Sequence, residues 1–69
     1  MNRTYELTEN FGGYAIRAPH DIYGWVYFSG IYKGKYNFST DPLYAKSYTL
    51  KTATKHLDLL NKGLVEVWT

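Results

Sequence analysis

Residues 24–40, GWVYFSGIYKGKYNFST, hold six of the chain's thirteen aromatic side chains. Trp25 to Tyr32 is rich in aromatic and β-branched residues, the composition of a strand. Lys33-Gly34-Lys35 reads as a three-residue loop with glycine at its centre, and Tyr36 to Thr40 returns as the partner strand. This aromatic hairpin decides the fold, because strands this rich in large side chains need something to pack against.

Sixty-nine residues make one domain, spanning 1–69. A chain of this size buries only about 60% of the surface its unfolded form exposes. It has no cysteine, so neither a disulfide framework nor a thiolate metal site supports it. Large aromatics, which bury on the order of 150–250 Å² each, are the remaining way to gain core area.

Upstream of the hairpin, Arg3 to Thr8 alternates as a short first strand. Asn10-Phe11-Gly12-Gly13 marks a turn, with two glycines that accept positive φ. Gly13 to Ala18 alternates again, and Pro19-His20-Asp21 breaks the run. Downstream, Asp41-Pro42 ends the hairpin, since proline disfavours a helical residue before it. Leu43 to Tyr48 reads as one helical turn followed by a short extended segment.

Thr49 to Gly63 is a helix marked at both ends. Thr49 or Thr52 supplies the N-cap oxygen, and Gly63 fits the left-handed position after the last turn. Leu50, Ala53, Leu57 and Leu60 recur at helical spacing and form the face that packs on the sheet. Leu64 to Trp68 alternates as a final strand. The expected architecture is α+β: a small antiparallel sheet of three to five strands, one C-terminal-half helix across one face, and a last strand.

Alternation divides the sheet into two faces. Tyr14, Ile16, Val26, Phe28, Tyr36, Phe38, Val65 and Val67 match the aliphatic helix stripe, with Gly30, Tyr32 and Thr40 continuing that side. Arg17, Trp25, Tyr27, Ile31, Glu66 and Trp68 fall on the other. Either that second face is exposed as a contact surface, or Arg3–Thr8 or the Pro19–Tyr23 loop folds over it. A one-residue slip or a bulge would exchange part of the two sets.

Catalytic chemistry is poorly represented. His20 reads as a loop residue in solvent and His56 as a boundary residue beside the helix stripe. There is no cysteine nucleophile, no Gly-x-Ser-x-Gly, no phosphate-binding glycine loop and no carboxylate pair at a useful spacing. No enzyme activity, cofactor or metal is expected. No apolar run approaches the roughly 20 residues of a membrane span, and MNRTYELTEN lacks the apolar segment of a secretory signal. A cytoplasmic protein without a membrane partner is the expectation.

The net charge is +2. Between residues 31 and 62, six lysines against Asp41 and Asp58 give +4, while Arg3 and Arg17 against Glu6, Glu9, Asp21 and Glu66 give −2 elsewhere. A basic half fits an acidic partner or simply a lysine-solubilised surface.

Tyr14-Ala15-Ile16-Arg17, the aromatic hairpin, Phe38-Ser39-Thr40-Asp41, Ala45-Lys46-Ser47-Tyr48-Thr49 and a helix containing Ala53 follow one another in this order. The pattern resembles small accessory proteins of phages and prophages of Gram-positive bacteria, most of them uncharacterised, over residues 13 to 60. The resemblance implies a mobile-element protein that binds and blocks a host protein, including defence nucleases of the CRISPR type. It carries over no binding residue, because its pattern is scaffold.

The expected function is therefore protein–protein contact, as a host-factor or anti-defence inhibitor in the host cytoplasm. Trp25, Tyr27, Trp68 and Arg17 are the contact candidates, with Lys33 and Lys35 as a rim. Tyr, Trp and Arg are the residue types that dominate interface hot spots. One alternative is nucleic-acid binding, with the same aromatics stacking bases and the lysines holding phosphates. Another is self-association, a homodimer through the aromatic face or a sheet edge.

Overall fold

The computed structural model describes residues 4–10 and 12–68. Four antiparallel strands lie in sequence order: β1 (Glu6–Asn10), β2 (Gly13–His20), β3 (Gly24–Tyr32) and β4 (Lys35–Ser39). A 3₁₀ turn (Pro42–Tyr44) follows, then helix α1 (Leu50–Asn61) packed across the sheet. This is the expected small α+β fold. Arg3 of the expected first strand and Phe11 of its turn lie outside the described residues.

Pro19 and His20 extend β2 instead of ending it, pairing with Trp25 and Gly24. β1 makes its last pair with β2 at Arg17, so no strand flanks Pro19 on that side to need its missing N–H. His20 organises the turn that follows and is not a solvent residue. Its Nδ1 accepts from the Ile22 and Tyr23 N–H groups at 3.2 and 3.4 Å, and its ring lies 4.9 Å from that of Tyr23.

The central hairpin turns on two residues rather than three. Lys33 (φ 52) and Gly34 (φ 78) are both left-handed, the type I′ geometry whose twist matches the flanking strands. That turn sets Tyr32 against Lys35. Continued unbroken, it would set Phe28 against Ser39 and turn the ring towards the face shared by Lys35 and Asn37. A bulge at Ser29 removes the conflict. Gly30 pairs with Asn37, Phe28 with Phe38, and the Ser29 hydroxyl donates to the Asn37 carbonyl at 3.0 Å. Gly30 sits at φ 137, which other residues rarely adopt.

The bulge reverses the faces beyond it. Tyr32, expected on the helix side, pairs with Lys35 on the outer face and is 56% exposed. Ile31, expected on the outer face, pairs with the buried Tyr36 and so lies on the helix side. The helix does not cover it there, and it is 52% exposed.

From Phe28 onward, β2 and β3 also separate. They pair only from Arg17–His20 to Gly24–Tyr27, and residues 45–48 fill the opening. Tyr48 exchanges both backbone hydrogen bonds with Tyr14 at 2.8 Å, and the Lys46 N–H donates to the Phe28 carbonyl at 2.8 Å. Gly13 allows this approach without positive φ: a Cβ there would meet the Ser47 hydroxyl and come within 2.8 Å of the Tyr48 carbonyl.

Helix α1 begins at Thr49, whose hydroxyl accepts from the Thr52 N–H at 3.4 Å. It ends in a Schellman motif, Leu64 N–H to the Leu59 carbonyl and Gly63 N–H to the Leu60 carbonyl, with Gly63 left-handed. Its inner face is Ala53, His56, Leu57 and Leu60. Leu50, expected in that stripe, is half exposed at the helix start. The core is Ile16, Phe28, Tyr36 and Leu60, with Tyr5, Leu7, Phe38, Tyr48, Leu57, Val65 and Val67 packed around it.

The expected final strand is reduced to one parallel bridge. Tyr36 donates to the Glu66 carbonyl at 2.8 Å and accepts from the Trp68 N–H at 3.0 Å, which places Val67 beside it. This contact pairs Tyr36 on the β4 edge of the sheet.

Candidate functional site: the outer face of the sheet

The face opposite the helix is built rung by rung. Arg17 pairs with Glu6 on one side and Tyr27 on the other, and Tyr27 continues to Ser39. Trp25 pairs with Pro19. Among the described residues, neither segment considered as a cover folds over this face. Residues 6–8 run in β1 at the sheet's side, and residues 19–23 prolong the β2–β3 hairpin and form its turn. Arg17, Trp25 and Tyr27 are half-buried.

Two clusters form. In the first, the Arg17 guanidinium lies 3.9 Å from the centre of the Trp25 ring while its Nε donates to Glu6 Oε1 at 2.8 Å. The guanidinium over the ring is a cation–π contact, and the carboxylate fixes the guanidinium in turn. In the second, Trp68 Nε1 donates to the Tyr32 carbonyl at 3.3 Å and the two rings stand 6.4 Å apart. Lys35 Nζ lies 4.8 Å over the Trp68 ring and 3.8 Å from Glu66 Oε2, and Lys33 Nζ lies 5.4 Å over Tyr32.

Five of the six candidate residues therefore fall into these two clusters by direct contact, and Tyr27 joins the first through its pairing with Arg17. Tyr32 completes the second cluster and was missed by alternation, because the bulge that exposes it lies three residues earlier. Trp68 is 41% exposed, which makes this end of the face the more open one.

On the opposite face, the aromatic residues close around the helix. The rings of Phe28 and Tyr36 stack at 4.8 Å, and His56 sits 5.1–5.8 Å from Tyr48, Tyr36 and Phe28. Tyr36 Oη and His56 Nδ1 are joined by a 2.7 Å hydrogen bond. His56 is half-buried beside the helix stripe, as expected of a boundary residue, and its ring also packs on Phe28, Tyr36 and Tyr48. Burial pushes the Tyr36 and Tyr48 hydroxyls above the usual tyrosine range, with Tyr36 adding to the effect on Tyr48. Burial, and then the Lys55 charge, holds His56 below its usual range. The Tyr36–His56 hydrogen bond ties these two side chains together within that packing.

Two shallow depressions lie around the β1–β2 turn. Among the described residues, Glu9 is the acidic one in their lining, beside Asn10, Gly12, Gly13 and Tyr14. Among the described residues, no group of three His, Cys, Asp or Glu side chains comes together to hold a metal ion. No helix among them is long and apolar enough to cross a membrane. Comparison with protein-family models, curated proteins and solved structures finds no match.

Proposed function

We propose that this chain is a non-enzymatic binding protein that engages another protein through the outer face of its sheet. The observation that carries the reading is the ordering of Trp25, Tyr27, Tyr32 and Trp68 on one side of a rigid sheet, with cations stacked on three of the rings. A preordered aromatic surface loses little side-chain freedom on binding, which is where association gains affinity. On the resemblance to phage accessory proteins, the partner is a host factor or a defence nuclease of the CRISPR type, met in the host cytoplasm.

Charge separates this reading from nucleic-acid binding. Arg17 and Lys35 each have a carboxylate beside them, Glu6 and Glu66. Of the three candidate cations, Lys33 alone has no ion-pair partner among the described residues. A surface so neutralised offers few charges to a phosphate backbone, whose binding rests on uncompensated Lys and Arg.

The test is capture from a nuclease-treated host lysate with the wild type and with Trp25→Ala/Tyr27→Ala, followed by titration of the recovered protein. Loss of two hot-spot aromatics is expected to weaken binding by about thirtyfold or more, with little dependence on salt. A double variant that keeps its fold by circular dichroism and still recovers the same partners at the same affinity would place the contact elsewhere. Capture that disappears with nuclease, or a steep loss of affinity with salt, would favour nucleic acid instead.

A further inference from the structure

The two edges of the sheet are finished differently. At the β4 edge, Tyr36 is paired by the 66–68 segment. At the β1 edge, backbone polarity follows from neighbouring bonds. Tyr14 directs both its N–H and its carbonyl to Tyr48, away from β1. Directly opposed residues in an antiparallel ladder point their backbone groups either at each other or both away. Glu9, opposed to Tyr14, therefore turns its N–H and carbonyl outward, and so does Leu7, two residues before it.

Tyr5 has the same outward polarity but is occupied. Its N–H donates to Asn61 Oδ1 at 3.1 Å and its carbonyl accepts from Asn61 Nδ2 at 3.4 Å, so the helix's last side chain imitates a partner strand. Leu7 and Glu9 have no such partner among the described residues. The strand between, ELTEN, has no lysine, proline or bulge to block its edge, and its only charges are the glutamates Glu6 and Glu9.

We propose that this open edge pairs with β1 of a second copy, antiparallel about a two-fold axis through Thr8. Of the registers that match outward groups to outward groups, three set Glu9 against Glu9, Tyr5 or Leu7. One sets Glu9 against Glu9, opposing like charges. Another sets Glu9 against Tyr5, whose backbone groups Asn61 already holds. The third sets Leu7 against Glu9 of the second copy, and Glu9 against its Leu7. It makes four backbone hydrogen bonds, places Glu6 beside Asn10, and brings the two Thr8 side chains together on the outer face. Of the three, only this register satisfies the edge without repulsion or competition, and it joins the two sheets into one.

In that register Thr8 faces its own counterpart across a non-hydrogen-bonded pair, where Cα atoms lie about 4.5 Å apart, within disulfide range. The chain has no cysteine, so Thr8→Cys creates a single reporter. Mild oxidation is expected to give a disulfide dimer, with Asn37→Cys on the same face remaining monomeric. Sedimentation of the wild type is expected to show mass rising from 8.0 kDa with concentration. An interface this small calls for measurements up to about 1 mM. Glu9→Pro removes an outward N–H that β1–β2 pairing does not use, and should raise the dimer dissociation constant about tenfold or more. Glu9→Gln keeps that N–H and should still dimerise.

A wild-type mass of 8.0 kDa throughout that range would overturn the proposal. So would a dimer indifferent to Glu9→Pro in a variant whose thermal melt matches the wild type, or oxidation that links Asn37→Cys as readily as Thr8→Cys.

Discussion

Within β3, the residues before and after Ser29 obey the same alternation with opposite results. Before it, Val26 and Phe28 face the helix while Trp25 and Tyr27 face outward. After it, Tyr32 is outside with Lys35 and Ile31 is inside with Tyr36. One inserted residue separates the two halves. The type I′ turn and the Phe28–Phe38 pair each demand a register, and the two differ by one. The bulge lets the hairpin keep both, and in doing so moves an aromatic ring from the core side to the candidate binding face.

The largest effect expected from this contrast is Phe28→Ala against Tyr32→Ala. Phe28 is fully buried, and its loss should destabilise by about 3–5 kcal/mol, enough to unfold most of a domain this small. Tyr32→Ala should change stability by no more than about 0.5 kcal/mol, as an exposed residue does. Urea or thermal unfolding followed by circular dichroism measures both. Comparable losses would mean that the faces are not reversed past Ser29.

A second test probes the packing that the bulge preserves. Folding lowers the His56 pKa below its unfolded value of 6.5, so on acidification the unfolded chain takes up the proton first. The stability due to neutral His56 is fully present above pH 6.5 and is lost as pH falls through the folded-state pKa. Urea midpoints measured from pH 7.5 downward, an order-of-magnitude window for imidazole titration at about pH 5–8, should fall less steeply in His56→Gln. Equal slopes in the two proteins would remove His56 as the source.

The smallest effect lies at the turn. Lys33 holds φ 52, which costs an ordinary residue about 1 kcal/mol and asparagine less. Lys33→Asn creates Asn-Gly, the favoured type I′ pair, and should stabilise by about 0.5–1 kcal/mol. A neutral or destabilising result would show that the turn is not the element that imposes the register.

Local chemistry made much of the fold legible. Thr49 and Gly63 bound the helix, Asp41-Pro42 ends the hairpin, and Gly34 marks the turn, because caps and turns act over a few residues. The grouping of Arg17, Trp25 and Tyr27 was legible too, since no bulge intervenes between them. Tyr32 was not, nor was the ring packing of His56. Each depends on which residue a distant strand or helix sets opposite it.

From sequence alone came the four strands, the helix, their order and the helix-side residues Val26, Phe28, Tyr36 and Phe38. Propensity, alternation and capping act over short distances, and the chain carries those signals plainly. Tertiary structure decided the Ser29 bulge, the insertion of residues 45–48 between β2 and β3, and the unequal finishing of the two edges. Those features reconcile register demands made by segments far apart in the chain, and such a conflict exists only once the segments meet.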